Sequence, residues 1–144
     1  MRVSIPTFRK SLLKWYAHHQ RLLPWRLPEG ATNRIDPYLI LLSELMLQQT
    51  QVITVIPYFE RFITQLPTIE SLAIADEQTV LRLWQGLGYY RRARNLHQAS
   101  RIIVRDFAGS FPKGLDDLQE LPGVGGYTAG AIASIAFDQR APIV

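Results

Sequence analysis

The sequence contains no cysteine among its 144 residues. This absence excludes a disulfide scaffold, a thiol nucleophile, a cysteine zinc site and iron–sulfur ligation within the chain. Long hydrophobic runs are missing too, since no stretch of about 18 uninterrupted apolar residues occurs. The first ten residues, MRVSIPTFRK, lack the apolar core of a signal peptide. We therefore expect a soluble cytoplasmic protein without a membrane segment.

Acidic residues are also few, with 12 Asp and Glu against 16 Lys and Arg, for a net charge of +4. Thirteen of the cations are arginines, whose planar side chains bind phosphates in a bidentate manner. A charge of +4 alone is weak support for a polyanionic partner. The three histidines, His18, His19 and His97, lack metal-ligand spacing, so we treat them as structural and expect no metal.

Apolar residues recur at helical spacing along almost the whole chain, and no segment alternates convincingly like a strand. Asp36 is expected to be the N-cap, and Pro37 the first residue, of a helix that runs to about Thr50. The other predicted helices are an N-terminal one through about residue 19 and those at 52–65, 68–75, 76–87, 91–107, 115–120 and 127–137. The predicted fold class is all-α.

Residues 121–130, LPGVGGYTAG, form a glycine-rich segment between two predicted helices. Glycine allows a positive φ and a close approach of the backbone to another molecule, and free N–H groups at a helix start attract anions. The segment is either a purely structural turn or a phosphate-binding site. Because LPGVG before a small-residue helix is the helix-hairpin-helix signature of DNA-binding proteins, we favour phosphate binding.

Glu44 is an isolated carboxylate in the apolar segment 37–52. If one helix continues through this segment, Leu41, Glu44, Gln48 and Gln51 lie on one face. That face is either a narrow solvent stripe or the wall of a cleft. In a cleft, desolvation would raise the pKa of Glu44 and let the carboxyl donate a proton near neutral pH.

Tyr89 and Tyr90 follow a glycine turn and precede three arginines at positions 91, 92 and 94. This pattern suits stacking on bases next to phosphates. The alternative is a pair of core aromatics followed by a solvated, basic helix start. Cations at a helix N-terminus are mildly unfavourable, so we expect a compensating partner, either a polyanion or nearby carboxylates.

Taken in order, these segments resemble the adenine DNA glycosylase (MutY) family of the endonuclease III superfamily. The matching motifs cover nearly the whole chain: LPWR at 23–26, SELMLQQTQV at 43–52, PYF at 57–59, LWQGLGYY at 83–90, ARNLH at 93–97 and the hairpin. The resemblance implies an all-α helix-hairpin-helix glycosylase fold. It implies an N-terminal helix at 1–22, which packs with a cluster domain in the family. It also implies a six-helix barrel at 23–144, with the hairpin at about 115–137.

The resemblance implies excision of adenine mispaired with 8-oxoguanine or guanine, after the adenine has been flipped out of the duplex. Glu44 matches the general acid that protonates N7 of adenine, while a second carboxylate stabilises the oxocarbenium-like sugar. Arg26 matches a residue that orders the adenine pocket. Gln48 matches the wedge in the base stack, and Tyr89 the residue that stacks beside the oxidised guanine. The residues that match the phosphate-gripping hairpin are Leu121, Gly123, Val124 and Gly125.

Tyr127 occupies the position that a Schiff-base lysine holds in the bifunctional endonuclease III branch. Because a tyrosine cannot form a Schiff base, the resemblance implies a monofunctional glycosylase in which Tyr127 contributes to the active site. A tyrosine also occurs here in thymine-mismatch glycosylases, which are the nearest alternative. Their equivalent of residues 48–50 is basic, whereas this sequence has Gln-Gln-Thr.

The resemblance also implies parts beyond this sequence. After the equivalent of residues 141–144, the family continues with the second catalytic aspartate, then with the cysteines of a 4Fe–4S cluster and a lesion-recognition domain. We therefore expect a C-terminally truncated glycosylase of impaired activity, or else a non-catalytic DNA-binding fragment. The expected partner is double-stranded DNA containing an adenine mispair. We expect a monomer located in a bacterial-type cytoplasm in association with the nucleoid.

Overall fold

The structure, a computed structural model, describes residues 4–19, 23–25 and 35–138. These residues form helices and connecting segments without a strand, which confirms the all-α prediction. None of the helices in these ranges is long and apolar enough to cross a membrane. The helices are α1 (Ile5–His19), α2 (Pro37–Leu47), α3 (Val52–Gln65), α4 (Ile69–Ile74), α5 (Glu77–Trp84), α6 (Arg91–Phe107), α7 (Leu115–Gln119) and α8 (Gly126–Phe137).

Helix α2 is buried on nearly every side, because it packs against α3, α6 and α8. Its buried residues are Tyr38, Ile40, Leu41, Leu42, Ser43, Leu45 and Met46. A helix that is apolar all round belongs in the interior of a domain. The solvent-stripe interpretation of the face through Leu41 and Glu44 is therefore wrong, since Leu41 is fully buried and Glu44 is half-buried.

The start of α2 is fixed by the predicted cap. The Asp36 carboxylate accepts a hydrogen bond from the Tyr38 N–H at 2.9 Å, and Pro37 occupies the first turn. The Tyr38 side chain is fully buried, and its hydroxyl donates to the Leu66 carbonyl at 2.7 Å. This bond ties the beginning of α2 to the end of α3.

The end of α2 differs from the prediction, because the helix stops at Leu47 rather than near Thr50. Gln48 is already non-helical, with φ −60° and ψ 114°, and Gln49 takes a left-handed φ of 59°. Gln51 then becomes the N-cap of α3. Gln48 and Gln51 therefore do not continue the face of α2 that carries Glu44.

Helix α6 packs against α2, α4 and α5 and has the bounds that its apolar spacing predicts. His97 is buried in it, with Nε2 2.9 Å from the Ala75 carbonyl oxygen. Within the described ranges, no group of three or more His, Cys, Asp or Glu residues could hold a metal ion. The contact of His97 with the Ala75 carbonyl connects α6 to the residue that follows α4.

Candidate functional site

The C-terminal end of α2 and the N-terminal end of α8 form the two walls of an open cleft of about 560 Å³. Glu44, Leu47 and Gln48 line one wall, and residues 125–128 line the other. The two walls meet because α2 packs against α8, whose inward side carries small buried residues such as Ala129, Gly130 and Ala133. The cleft therefore brings together two motifs that are about 80 positions apart in the sequence.

Glu44 and Tyr127 are the two polar side chains in this cleft that were predicted to be catalytic. Glu44 is half-buried, whereas Tyr127 is 57% exposed and stands at the first turn of α8. A carboxyl and a phenol in one cleft offer a proton donor and a second hydroxyl for a bound molecule. The cleft volume lies within the roughly 300–1,000 Å³ typical of small-molecule sites.

The glycine-rich turn between α7 and α8 contains two buried apolar residues and two exposed glycines. Leu121 and Val124 are buried, and their N–H groups donate within the turn, to Leu118 at 3.2 Å and to Leu121 at 3.1 Å. Gly123 and Gly125 are exposed, and their N–H groups have no hydrogen-bond acceptor among the described residues. The apolar pair thus anchors the turn, while the glycine N–H groups are available to an anion.

Gly123 is the position of this turn that most strongly favours glycine. Its φ is +79°, and a Cβ atom there would lie 3.0 Å from Cβ and 3.3 Å from Nδ2 of Asn95 on α6. Gly125 has a φ of −90° and open space around its missing Cβ. The close approach to Asn95 sets the position of the hairpin relative to α6.

A second, smaller concavity of about 260 Å³ lies beside the cleft and shares Gln48 with it. Its lining residues are Gln48, Gln49, Tyr89, Arg91, Arg92 and Asn95. The side chains of Gln48 and Tyr89, predicted to wedge and to stack, are both exposed here, Tyr89 to 64%. The structure therefore places these two candidate residues next to each other and next to the cleft of Glu44.

Two residues of this concavity have a left-handed backbone, Gln49 with φ 59° and Tyr89 with φ 47°. For a residue with a side chain this conformation costs roughly 1–2 kcal/mol. Such conformations persist where the surrounding structure enforces them, and they concentrate at functional sites.

The three arginines of the 91–94 segment have three different surroundings. Arg91 is exposed and lines the smaller concavity, and Arg94 pairs with Glu77 at 3.2 Å on the surface. Arg92 is only 7% exposed, so the expectation of a solvated or phosphate-facing side chain is wrong for this residue. Burial lowers the pKa of Arg92 from its ordinary value.

We expected a partner to offset the positive charge at the start of α6. For Arg92 this partner is the C-terminal end of α2. Its guanidinium donates to the carbonyls of Leu45 and Met46 at 2.7 and 2.9 Å. Those carbonyls belong to the last turn of α2, where the helix dipole is negative and the carbonyl groups lack helical partners. In a helix that continued to Thr50 they would accept from the N–H groups of Gln49 and Thr50, so Arg92 takes the place of the next turn. The only sequence signal for this role is the unfavourable charge at the start of α6.

Arg26, predicted to order a base pocket, lies outside the described residues. The remaining predicted site residues fall into three groups, of which Leu121, Gly123 and Val124 form the turn before α8. Glu44, Gln48, Gly125 and Tyr127 line the cleft, and Gln48 with Tyr89 lines the adjoining concavity. Arg92 is the residue of this region whose role the sequence patterns missed.

The chain is similar in sequence to proteins named adenine DNA glycosylase. The chain is 48% identical over 143 residues to the adenine DNA glycosylase of Rattus norvegicus, covering 97% of this chain and 28% of that protein. It is 42% identical over 134 residues to the adenine DNA glycosylase of Mycobacterium tuberculosis strain H37Rv, covering 93% of this chain and 42% of that protein. The chain thus spans between about a quarter and two fifths of the length of these relatives.

Solved structures share the fold. A thermostable thymine-DNA glycosylase superposes with a TM-score of 0.82 and 26% identity, over 96% of this chain and 62% of that one. A trapped endonuclease III–DNA covalent intermediate superposes with a TM-score of 0.69 and 20% identity, over 95% of this chain and 62% of that one. Residues 42–144 match the family model of the HhH-GPD superfamily base excision DNA repair proteins, which includes both walls of the cleft and the glycine turn. The chain belongs to the HhH-GPD superfamily of base excision DNA repair proteins.

Proposed function

We propose that this chain supplies the DNA-gripping and base-excising part of an adenine DNA glycosylase that acts on adenine opposite 8-oxoguanine or guanine. The observation that carries the proposal is the shared cleft of Glu44, Gln48 and Tyr127 beside the exposed glycine N–H groups. The similarity to proteins named adenine DNA glycosylase supports the choice of adenine.

In this proposal the flipped adenine enters the cleft, and Glu44 protonates its ring nitrogen N7. Protonation turns the base into a neutral leaving group, so the N-glycosidic bond breaks with positive charge developing on the sugar. Water then forms the new bond to C1′ of the sugar and loses a proton, which leaves an abasic site. Tyr127 borders the same space and provides a hydroxyl group, not an amine, so no Schiff base forms with the sugar. The residues of this chain do not fit a 4Fe–4S cluster, because the sequence has no cysteine to supply a thiolate ligand.

The DNA backbone is held, in the same proposal, at the turn before α8. The N–H groups of Gly123 and Gly125 and the positive end of the α8 dipole face outward and bind phosphate oxygens. Gln48 and Tyr89 fill the stack that the flipped base leaves. This insertion offsets an unstacking cost of about a few kcal/mol.

Duplex binding is the first test. The affinity of the chain for a duplex with one A·8-oxoguanine mispair is measured by fluorescence anisotropy over a range of salt concentrations, with the T·A duplex as reference. We expect tighter binding to the mispair and a steep fall of log affinity with log salt, because several phosphates are contacted. Equal affinity for the two duplexes would contradict mispair recognition, and no binding at low salt would contradict the whole proposal.

Adenine excision is the second test. The chain is held in excess over the mispaired duplex, and abasic sites are detected by strand cleavage in alkali. We expect that Glu44→Gln removes any excision that the unchanged chain shows and leaves duplex affinity within about twofold, because Gln lacks the acidic proton but keeps the size of the side chain. An equal loss of affinity would indicate that Glu44 supports the fold or the DNA contact.

The similarity to a thymine-DNA glycosylase structure makes thymine excision the second candidate function. A T·G duplex in the same assay distinguishes the two candidates. Release of thymine rather than adenine would favour the second.

A further inference from the structure

The buried arginine of α6 connects the two segments that carry the exposed wedge and stacking side chains. One nitrogen of Arg92, Nη1, donates to the carbonyls of Leu45, Met46 and Gln48, the last at 2.6 Å. The other, Nη2, donates to the Gly88 carbonyl at 3.2 Å. A single guanidinium therefore spans the 48–49 segment and the 88–89 segment.

The two carbonyls that Arg92 joins are placed next to the two left-handed residues. The Gln48 carbonyl belongs to the peptide plane that precedes Gln49, and the Gly88 carbonyl to the plane that precedes Tyr89. The orientation of each plane sets φ of the following residue, which is 59° at Gln49 and 47° at Tyr89. Arg92 thus holds both unfavourable conformations through the peptide bonds that determine them.

Arg92 also contacts the aromatic ring of Tyr89 directly. The Arg92 guanidinium carbon lies 5.7 Å from the centre of the Tyr89 ring and 5.3 Å from that of Trp84. Both distances are within the range of a cation–π interaction. Trp84 Nε1 also donates to the Gly88 carbonyl at 3.2 Å, so the 88–89 segment has a second fixed support.

Burying this cation is unfavourable for the fold by itself. Within the described residues Arg92 forms no ion pair, and its Nε atom is buried without a hydrogen-bond partner. Burial of a charge without a counter-ion and of an unpaired donor both destabilise a protein. Such a group is expected where it performs a task that apolar packing could not perform.

We propose that Arg92 is a positioning residue that presets the distance between the Gln48–Gln49 wedge and the Tyr89 ring, so that both enter the DNA stack together. The inference rests on the proposed function, because it assigns Arg92 a task in base unstacking. Arg92 itself is only 7% exposed, so in this proposal it acts through the 48–49 and 88–89 segments. Preset geometry avoids the entropy cost of ordering two loops when DNA binds.

The variant that tests this role is Arg92→Lys. A lysine keeps the charge but has one nitrogen in place of the guanidinium fork, so it can reach the end of α2 or Gly88 but not both. Arg94→Lys is the matched control, since it makes the same change on the same helix at an exposed position. Both variants keep the net charge, so general attraction to DNA is unchanged.

Hydrogen–deuterium exchange without DNA tests the connection between the two segments. We expect Arg92→Lys to speed exchange by about tenfold or more within residues 47–51 and 86–90, while segments of α3 and α6 exchange as in the unchanged chain. Arg94→Lys should leave all of these segments unchanged. A uniform rise over the whole chain, or a chain that no longer folds, would overturn the proposal, since either result means that Arg92 stabilises the domain as a whole.

Base unstacking tests the consequence on DNA. A duplex with 2-aminopurine next to the A·8-oxoguanine mispair becomes more fluorescent when the neighbouring stack opens. At saturating protein we expect Arg92→Lys to lose most of the increase seen with the unchanged chain and with Arg94→Lys, while the salt slope of binding stays the same. A full increase with Arg92→Lys would overturn the positioning role. An unchanged chain that binds without any increase would contradict the proposed function, whatever the exchange experiment gives.

Discussion

The stability of the hairpin turn should respond very differently to the same substitution at two nearby glycines, Gly123 and Gly125. In Gly123→Ala the new residue must adopt a φ of +79°, and its Cβ would lie 3.0 Å from Cβ of Asn95. In Gly125→Ala the φ is −90°, which any residue adopts, and no atom lies within 4 Å of the new Cβ. The difference between the two variants therefore measures the backbone strain at residue 123 and the contact with Asn95, because both variants replace a glycine by an alanine.

The magnitudes follow from these geometries. The left-handed conformation costs Gly123→Ala roughly 1–2 kcal/mol, and the shift of Asn95 by a few tenths of an ångström costs roughly a further 1 kcal/mol. Alanine also lowers the conformational entropy of the unfolded chain, which stabilises the folded state of either variant by about 0.4–1 kcal/mol. We expect a net loss of about 1–2 kcal/mol for Gly123→Ala. For Gly125→Ala the change should stay within about 0.5 kcal/mol, because alanine is a poorer N-cap than glycine and this cancels the gain.

Thermal unfolding followed by circular dichroism measures the difference. For a chain of this size 1 kcal/mol corresponds to roughly 3–4 °C, so Gly123→Ala should melt about 3–7 °C below Gly125→Ala. Urea unfolding at 25 °C should give the same order, with an unchanged m-value for both variants. Equal melting temperatures, or a lower one for Gly125→Ala, would refute the reasoning from φ and from the Asn95 contact.

Three further perturbations test the fold around the site. Ala108 ends α6 with a left-handed φ of 53°, so Ala108→Gly should raise the free energy of unfolding by about 0.5–1 kcal/mol in a urea titration, because glycine adopts this conformation without strain. Tyr38→Phe should lower the free energy of unfolding by about 1–2 kcal/mol, because the Leu66 carbonyl loses the hydroxyl that donates to it at 2.7 Å. An unchanged urea midpoint would contradict that hydrogen bond. Burial, more than any other cause, lowers the pKa of His97 in the native state. The unfolded chain therefore binds the proton first, so this part of the stability is present above the ordinary pKa near 6.5 and is lost as the pH falls below it. In His97→Gln, which can still donate to the Ala75 carbonyl, the melting temperature should depend less on pH between about pH 7 and pH 5.5. If the melting temperature of the variant falls as steeply with pH as that of the unchanged chain, other groups cause the pH dependence.

The helices were largely predictable because their signals are local. The spacing of apolar residues gives the bounds of α3 and α6, and the expected cap at Asp36 gives the start of α2. The glycine turn before α8 was predictable for the same reason, since a left-handed φ such as that of Gly123 strongly favours glycine. Hydrogen bonds and steric contacts within a few residues decide these features.

The sequence alone also determined which residues are candidates for chemistry. Glu44, Gln48, Tyr89 and Tyr127 stand in motifs that resemble one glycosylase family, and the fold places them around one cleft and the concavity beside it. The roles of these four residues in catalysis and DNA binding remain predictions.

Tertiary structure decided where α2 ends and what Arg92 does. The spacing of Leu41, Glu44 and Gln48 fits a continuing helix, but carbonyls near the end of α2 accept hydrogen bonds from a guanidinium 44 to 47 positions away. Local periodicity does not contain that contact, because it exists only once α2 and α6 have packed together. The Gln48–Gln49 segment is therefore a non-helical turn beside Tyr89, and the geometry that joins the two depends on a long-range contact of one buried arginine.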